Sequence, residues 1–222
     1  EWNLSKKIVR NNRYDIINNG IDLKKFRYDA QKEKEIRHQL NLENKFVIGH
    51  IGRFTPAKNH DFLLEIFSEV HKKNQNARLL LVGEGALKKQ MQYKAQILGI
   101  NEAVIFYGAA TQVHELLQAI NVFVFPSLYE GFGIVALEAQ AAGIPLIMSD
   151  TIPQEVAITT LCTVLSLKQS ASFWADKILE RKTFKKEANN EQLAQSGFDI
   201  DISAKLLEKL YEKYIFKEKE QL

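Results

Sequence analysis

The stretch Val122-Phe123-Val124-Phe125-Pro126-Ser127-Leu128-Tyr129-Glu130-Gly131-Phe132-Gly133-Ile134-Val135-Ala136-Leu137-Glu138-Ala139 decides the fold of this chain. It opens on consecutive apolar residues, stops at a proline, passes through a loop with two glycines and enters a run of small apolar residues suited to a tightly packed helix. An apolar run without alternation is what a strand buried on both faces requires. Pro126 ends it, because proline has no N–H to give to a ladder. The same strand-then-helix unit recurs on both sides. Upstream, Phe46 to Ile51 reads as a buried strand ending at Gly52, and Phe62, Leu63, Ile66, Phe67 and Val70 are spaced as a helix over 61–72. Arg78 to Val82 is a second strand closed by Gly83-Glu84-Gly85, with a helix over 87–98. Val104 to Tyr107 is a third, closed by Gly108 and followed by a short helix over 113–119. Downstream, the helix from Gly133 to Ala142 ends at Gly143, Pro145 to Met148 forms a fifth strand and Thr163 to Leu167 a sixth.

This alternation predicts an α/β chain: a Rossmann-like parallel sheet with helices on both faces, built by right-handed crossovers. In such a sheet ligands sit outside the carboxyl ends of the strands, so the strand-end loops carry the functional information. The flanks follow other patterns. Tyr14 to Ile17 reads as a strand before the turn signal Asn18-Asn19-Gly20, and Lys24 to Leu40 as a charged helix. Beyond residue 170 apolar positions at Phe173, Trp174, Ile178 and Leu179, and again from Ile202 to Ile215, predict helices around a polar loop at Lys182 to Asn190.

Bulk composition narrows the class. The chain has 222 residues, 45% hydrophobic, enough for one ordinary core. Its 30 basic residues nearly balance 27 acidic ones, leaving a net charge of +3, and no basic cluster of the kind nucleic acid requires is apparent. Cys162 is the only cysteine, which excludes an intrachain disulfide and fits a reducing compartment. No apolar run approaches the roughly 18 to 20 residues of a membrane span. The N-terminus carries neither an initiator Met nor a signal-peptide core, so a fragment or processed chain is expected.

Three strand ends carry chemistry. Gly52-Arg53-Phe54-Thr55-Pro56-Ala57-Lys58-Asn59 sets two cations close together on a ligand-facing loop, where Arg offers a planar fork and Lys a point charge to a pyrophosphate. Solvated surface cations are the plainer alternative for that pair. Glu130-Gly131-Phe132-Gly133 opens a helix, where free N–H groups and the helix dipole favour an anion. Glu130 in the loop and Glu138 inside the helix are too far apart for an acid/base pair, but each can accept bonds from sugar hydroxyls. Glu138 as an exposed helix residue is disfavoured by its flanking alanines. The end of the third strand, Tyr107-Gly108, could present groups to a base or be a plain core strand.

In order and spacing these motifs resemble the family-four type of retaining GT-B glycosyltransferases, whose Gly-Arg-x4-Lys and E-x7-E signatures match Gly52-Arg53…Lys58 and Glu130…Glu138. Asn19-Gly20-Ile21-Asp22 is similar to the entry into that family's second domain, and the similarity runs from about Asn18 to Ile215. The resemblance implies the second half of a GT-B fold: residues 1–22 as a remnant of the N-terminal domain and linker, 23–170 as the nucleotide-sugar-binding domain, and 171–222 as helices that pack back on the N-terminal domain. It implies that Arg53, Lys58 and Glu130 carry the catalytic work, with the cations on the donor diphosphate. Gly52, Tyr107, Gly131, Phe132, Gly133, Ile134 and Glu138 would hold the rest of the nucleotide sugar, Glu138 at the ribose and Tyr107 near the base. It further implies no required cofactor and no catalytic metal, a UDP-sugar donor, a saccharide or lipid-linked acceptor as in capsule and polysaccharide synthesis, and a cytoplasmic site of action at the inner membrane face for the full protein. A chain lacking the acceptor half should bind nucleotide and transfer little sugar.

Other readings compete. Gly131-x-Gly133-x-x-Ala136, with Asp150 after the next strand, matches a variant of the dinucleotide (NAD) fingerprint. There, however, the first glycine should follow the strand at once, and here Pro126 to Glu130 intervene. A nucleotide-sugar epimerase and a relic binding domain are further alternatives. Asp199-Ile200-Asp201 reads as a helix start with Asp201 as its N-cap rather than as a metal motif, and His38, His50, His60, His71 and His114 show no metal-ligand spacing.

Overall fold

A computed structural model describes residues 17–187 and 190–219. Its centre is a six-stranded, wholly parallel sheet: β1 (Phe46–Ile51), β2 (Ala77–Val82), β3 (Val104–Gly108), β4 (Val122–Phe125), β5 (Leu146–Ser149) and β6 (Cys162–Leu165), in the spatial order β3-β2-β1-β4-β5-β6. That order bears out the doubly wound reading and puts the reversal of winding between β1 and β4.

Side chains alternate between two cores. Val47, Leu80, Phe123, Phe125, Leu146 and Met148 point to one face; Phe46, Ile48, Leu79, Leu81, Val122, Val124 and Ile147 to the other. The first face is covered by α1 (Leu23–Phe26), α2 (Ala30–Gln39), α5 (Val113–Gln118), α6 (Ile134–Ala141) and α8 (Glu191–Gln195). The second is covered by α3 (His60–Lys73), α4 (Lys88–Ile97) and α7 (Ala171–Leu179), where Trp174 is fully buried and donates its indole N–H to the Ser166 carbonyl at 3.2 Å. Burying an aromatic of that size contributes a few kcal/mol, on the order of 25 cal/mol per Å² removed from water. A last helix, α9 (Ile200–Lys219), leaves the domain beside Ile21, whose N–H and carbonyl bond Phe198 and Ile200.

Two sequence expectations change. The charged stretch from Lys24 to Leu40 is two helices, because Asp22 caps Lys25 N–H and Asp29 caps Gln31 and Lys32, each aspartate starting its own turn. At α9 the cap falls on Asp199, which accepts from the Asp201 N–H at 2.9 Å, while Asp201 lies inside the helix and pairs with Lys24. Of the strand expected at Tyr14 to Ile17, residues 14–16 lie outside the described residues. Among the described residues no helix is long and apolar enough to cross a membrane.

Candidate functional site

β1 and β4 end side by side at the reversal of winding, and the loops that leave them are stitched together. Leu128 N–H donates to the Ala57 carbonyl at 2.8 Å and Asn59 Nδ2 to the Pro126 carbonyl at 3.0 Å. Asn59 adopts a left-handed conformation (φ 55°), which brings the short 3-10 turn Pro56–Lys58 round to the first residue of α3. On the other side, Gly83 has φ +146° and any Cβ there would lie 2.1 Å from the Gly52 carbonyl oxygen, so glycine lets the β2 loop press against the β1 loop.

The sequence-predicted cations and carboxylates meet here in part. Lys58 Nζ donates to both oxygens of Glu130, at 2.7 and 2.9 Å, and stands 5.1 Å over the Phe125 ring. Ser127 Oγ donates to Glu130 Oε1 at 2.6 Å. Ser127 is itself held from β5, its carbonyl accepting from Ser149 and Thr151 at 2.6 and 2.7 Å. The Lys58 and Glu130 side chains are only 20% and 11% exposed, so the pair is partly desolvated and stronger than a surface ion pair. Arg53 differs: it lies on the same loop after β1, exposed and with no partner among the described residues.

Behind the pair, Gly131, Phe132 and Gly133 lead into α6, and their N–H groups reach no backbone acceptor among the described residues. Gly133 takes φ +87°, where a Cβ would also lie 3.1 Å from Phe125. Phe132 packs on Phe198 at 5.8 Å, and Ile134 is 44% exposed at the helix start. The result is a short arc of unpaired donors at the positive end of a helix, beside two cations. Glu138 is half-buried, and burial raises its carboxyl above the usual range, offset in part by Lys25 on α1. Tyr107 is brought elsewhere. It lines a cleft of about 320 Å³ with Ile36, Gln39, Leu40 and Thr111 at the end of β3, two strands or roughly 10 Å from β1.

Sequence reasoning gave no role here to Asn59, Lys25 or the two histidines beneath this loop, His50 and His60; an Asn-His dipeptide does not by itself fix a left-handed position, and Lys25 is far from Glu138 along the chain. Ser127 carried a signal, being the polar residue directly after the proline that ends β4. Among the described residues no group of three or more His, Cys, Asp or Glu is gathered as a metal site.

Comparison with known proteins agrees with this fold. Residues 31–196 match the family model described as glycosyl transferases group 1. The "Putative glycosyltransferase EpsF" of Bacillus subtilis (strain 168) is 36% identical over 204 residues, covering 90% of this chain and 53% of EpsF. CapM of Staphylococcus aureus, a capsular polysaccharide biosynthesis glycosyltransferase, is 30% identical over 152 residues, covering 66% of this chain and 40% of CapM. The crystal structure of Anabaena HepE with UDP and glucose superposes with a TM-score of 0.74 at 22% identity, over 89% of this chain and 56% of that one. The chain thus spans about half the length of the curated relative EpsF, and less of CapM.

Proposed function

The chain belongs to the group 1 glycosyltransferase family, and from that premise we propose that it is the donor-binding half of a retaining enzyme of the GT-B type that takes a UDP-sugar. What supports this reading is that the stitched loops after β1 and β4 hold a free guanidinium, a lysine on the adjoining turn and the unpaired amides of Gly131 to Gly133. Such a set is complementary to a diphosphate, which needs charge and convergent donors rather than a hydrophobic slot.

In this reading Arg53 and Lys58 bind the diphosphate and stabilise the nucleotide as it leaves, with the α6 amides sharing the charge. Lys58 begins on Glu130, so an arriving diphosphate exchanges partners with that carboxylate. Glu130, still oriented by Ser127, then turns its free oxygen to the sugar hydroxyls. Glu138 takes the ribose hydroxyls; its half-buried, unpaired carboxylate is suited to a bidentate neutral partner. Tyr107 and its cleft take the base, while Gly52 and Ile134 line the approach. No metal is needed for this set to neutralise the leaving group. UDP is favoured because HepE was solved with it, and a saccharide or lipid-linked acceptor because CapM serves capsule synthesis. We place the acceptor site outside the stretch that this chain shares with EpsF. We therefore assign residues 23–170 to the donor; of the helices after 170, α7 and α8 complete the core of this domain, which leaves α9, with the segment at 1–22, for the junction with the acceptor half, which in the full protein works in the cytoplasm at the membrane face. The isolated chain binds donor and transfers little sugar. The NAD alternative is disfavoured because the loop after β1, where that fingerprint belongs, is Gly52-Arg53-Phe54-Thr55.

Calorimetric titration without metal, using UDP, GDP, ADP and NAD, tests the reading. UDP binding that weakens in both Arg53→Ala and Glu138→Ala is expected; binding of NAD alone would overturn it.

A further inference from the structure

At the reversal of winding the sheet opens early, and a histidine fills the gap. β1 pairs with β2 over its whole length, but with β4 only at Ile48–Val122 and Gly49–Phe123. The next rung would join His50 to Val124. There the imidazole replaces the backbone: His50 Nδ1 lies 2.9 Å from the Val124 carbonyl oxygen. A carbonyl can only accept, so the proton sits on Nδ1. Full burial, with the neighbouring His60 second, pushes the His50 pKa well down, so the ring is neutral and its Nε2 is a bare lone pair. That nitrogen has no partner among the described residues.

His60, the first residue of α3, is 2% exposed and continues the chain of contacts. Its ring stands edge-on to His50 with centroids 4.8 Å apart, and lies flat on Phe54 at 4.1 Å. Neither of its nitrogens is paired among the described residues, and burial with the nearby Lys58 lowers its pKa to about 4. On its other side His50 supports the cation loop. A Cβ on Gly52 would lie 3.1 Å from His50 Nε2 and 3.2 Å from Cδ and Cε of Lys58, so ring, loop backbone and lysine stem converge at one point. A buried unpaired nitrogen costs stability, and an apolar pair of the same size would avoid that cost. It would, however, leave the Val124 carbonyl without its donor and let the two strand ends move independently.

We propose that His50 and His60 are positioning residues of the anion clamp: His50 bridges β1 to β4 and His60, packed between His50 and Phe54, holds that ring, so that together they fix the width of the crevice and, through Gly52, the height of the Lys58 ammonium above it. This rests on the diphosphate reading of that crevice. The rings touch neither donor nor acceptor; they act through Lys58. Neutrality is part of the design, since a charged imidazole under Lys58 would repel the ammonium.

Imidazole 15N spectra, amide hydrogen exchange and calorimetry on the whole chain test this. His50 is expected as the neutral Nδ1–H tautomer. His50→Leu should speed exchange across 52–59 by roughly tenfold or more while β2 and β5 stay protected. The same variant should weaken UDP by about tenfold with much less effect on UMP, so that the UDP-to-UMP affinity ratio falls. His50→Asn, whose Nδ2 can take the place of Nδ1, should restore both. If His50→Leu does not fold, His60→Ala, which unlinks Phe54 from His50, should show the same signs more weakly. The Nε2–H tautomer, or loop exchange and a UDP-to-UMP ratio unchanged in the Leu or Ala variant, would overturn the proposal. If the native chain binds no nucleotide, the donor reading is lost and the exchange arm alone decides: faster loop exchange reversed by His50→Asn supports the bridge, and native exchange removes it.

Discussion

Among the described residues, two lysine–glutamate pairs have both side chains at most 20% exposed, and they have opposite characters. Lys186 reaches Glu33 at 3.2 Å from a loop crossing beneath α2 and α5; its side chain is 4% exposed. The charges around it are paired with one another: Glu33 also ion-pairs with Arg37 Nε at 2.9 Å and accepts from the Tyr28 hydroxyl at 2.8 Å, Arg37 donates to Asn121 at 2.6 Å, and Lys186 itself bonds the Gln118 carbonyl and lies 4.9 Å over Tyr28. Lys58 and Glu130 are paired as closely, yet the loops that carry them also hold an unpartnered guanidinium, Arg53, and unpaired amides. A buried ion pair alone therefore does not mark a site. What marks one is unspent hydrogen-bonding capacity next to it, at the carboxyl ends of strands, where the fold leaves a crevice.

The largest expected effect comes from breaking the closed pair. Glu33→Gln strands the Lys186 ammonium and should lower unfolding free energy by about 3 kcal/mol at neutral pH, measured in urea, with UDP affinity of the folded chain unchanged. Arg53→Ala should do the reverse. It should leave the urea midpoint in place and weaken UDP by a factor corresponding to roughly 1.5 to 3 kcal/mol, the worth of a charge-assisted bond. A lost midpoint with retained affinity would erase the contrast.

A pH titration sharpens it further. Burial lowers the Lys186 pKa to about 8 from an ordinary 10.5. Between those values the unfolded chain binds the proton that the folded chain has released, so this group makes stability rise with pH from about 8 upward, by at most about 1.4 kcal/mol per pH unit. Above pH 10 the rise is opposed, because burial and Glu33 push the Tyr28 hydroxyl up to about 12 and the folded chain then holds the extra proton. Lys186→Met should flatten the slope between pH 8 and 10 in urea unfolding curves; an unchanged slope would show that the lysine does not titrate there. The smallest effect is expected at Ser127→Ala, which removes one bond to Glu130 and should cost about 1 kcal/mol of stability. Its signature is a larger fractional loss for UDP-glucose than for UDP by calorimetry, since Ser127 orients the carboxylate assigned to the sugar.

β1 to β5 were legible because each is an apolar run with Gly or Pro at one end, and β1 and β4 were found within a residue of their ends, whereas β6, Cys-Thr-Val-Leu between Leu161 and Ser166, carries neither signal. The split between α1 and α2 was half-legible: Asp22 and Asp29 are ordinary cap residues, but the charge around them hid the break. The candidate site was legible as residue types at strand ends. Its internal partnerships were not, because Lys58 and Glu130 are separated by 72 positions and nothing local says that they touch. His50 and His60 were set aside for lacking metal spacing, a test that has no bearing on stacking and strand bridging.

By itself the sequence determined the sheet, the helices over both its faces and the set of loops that can reach a ligand, because apolar periodicity and chain punctuation are local properties governed by backbone hydrogen bonding and burial. Only the tertiary structure decided which charges are spent and which are free. That depends on where separate loops converge and how much water they exclude, and the strength of an ion pair is set by that dielectric environment rather than by the residues that form it.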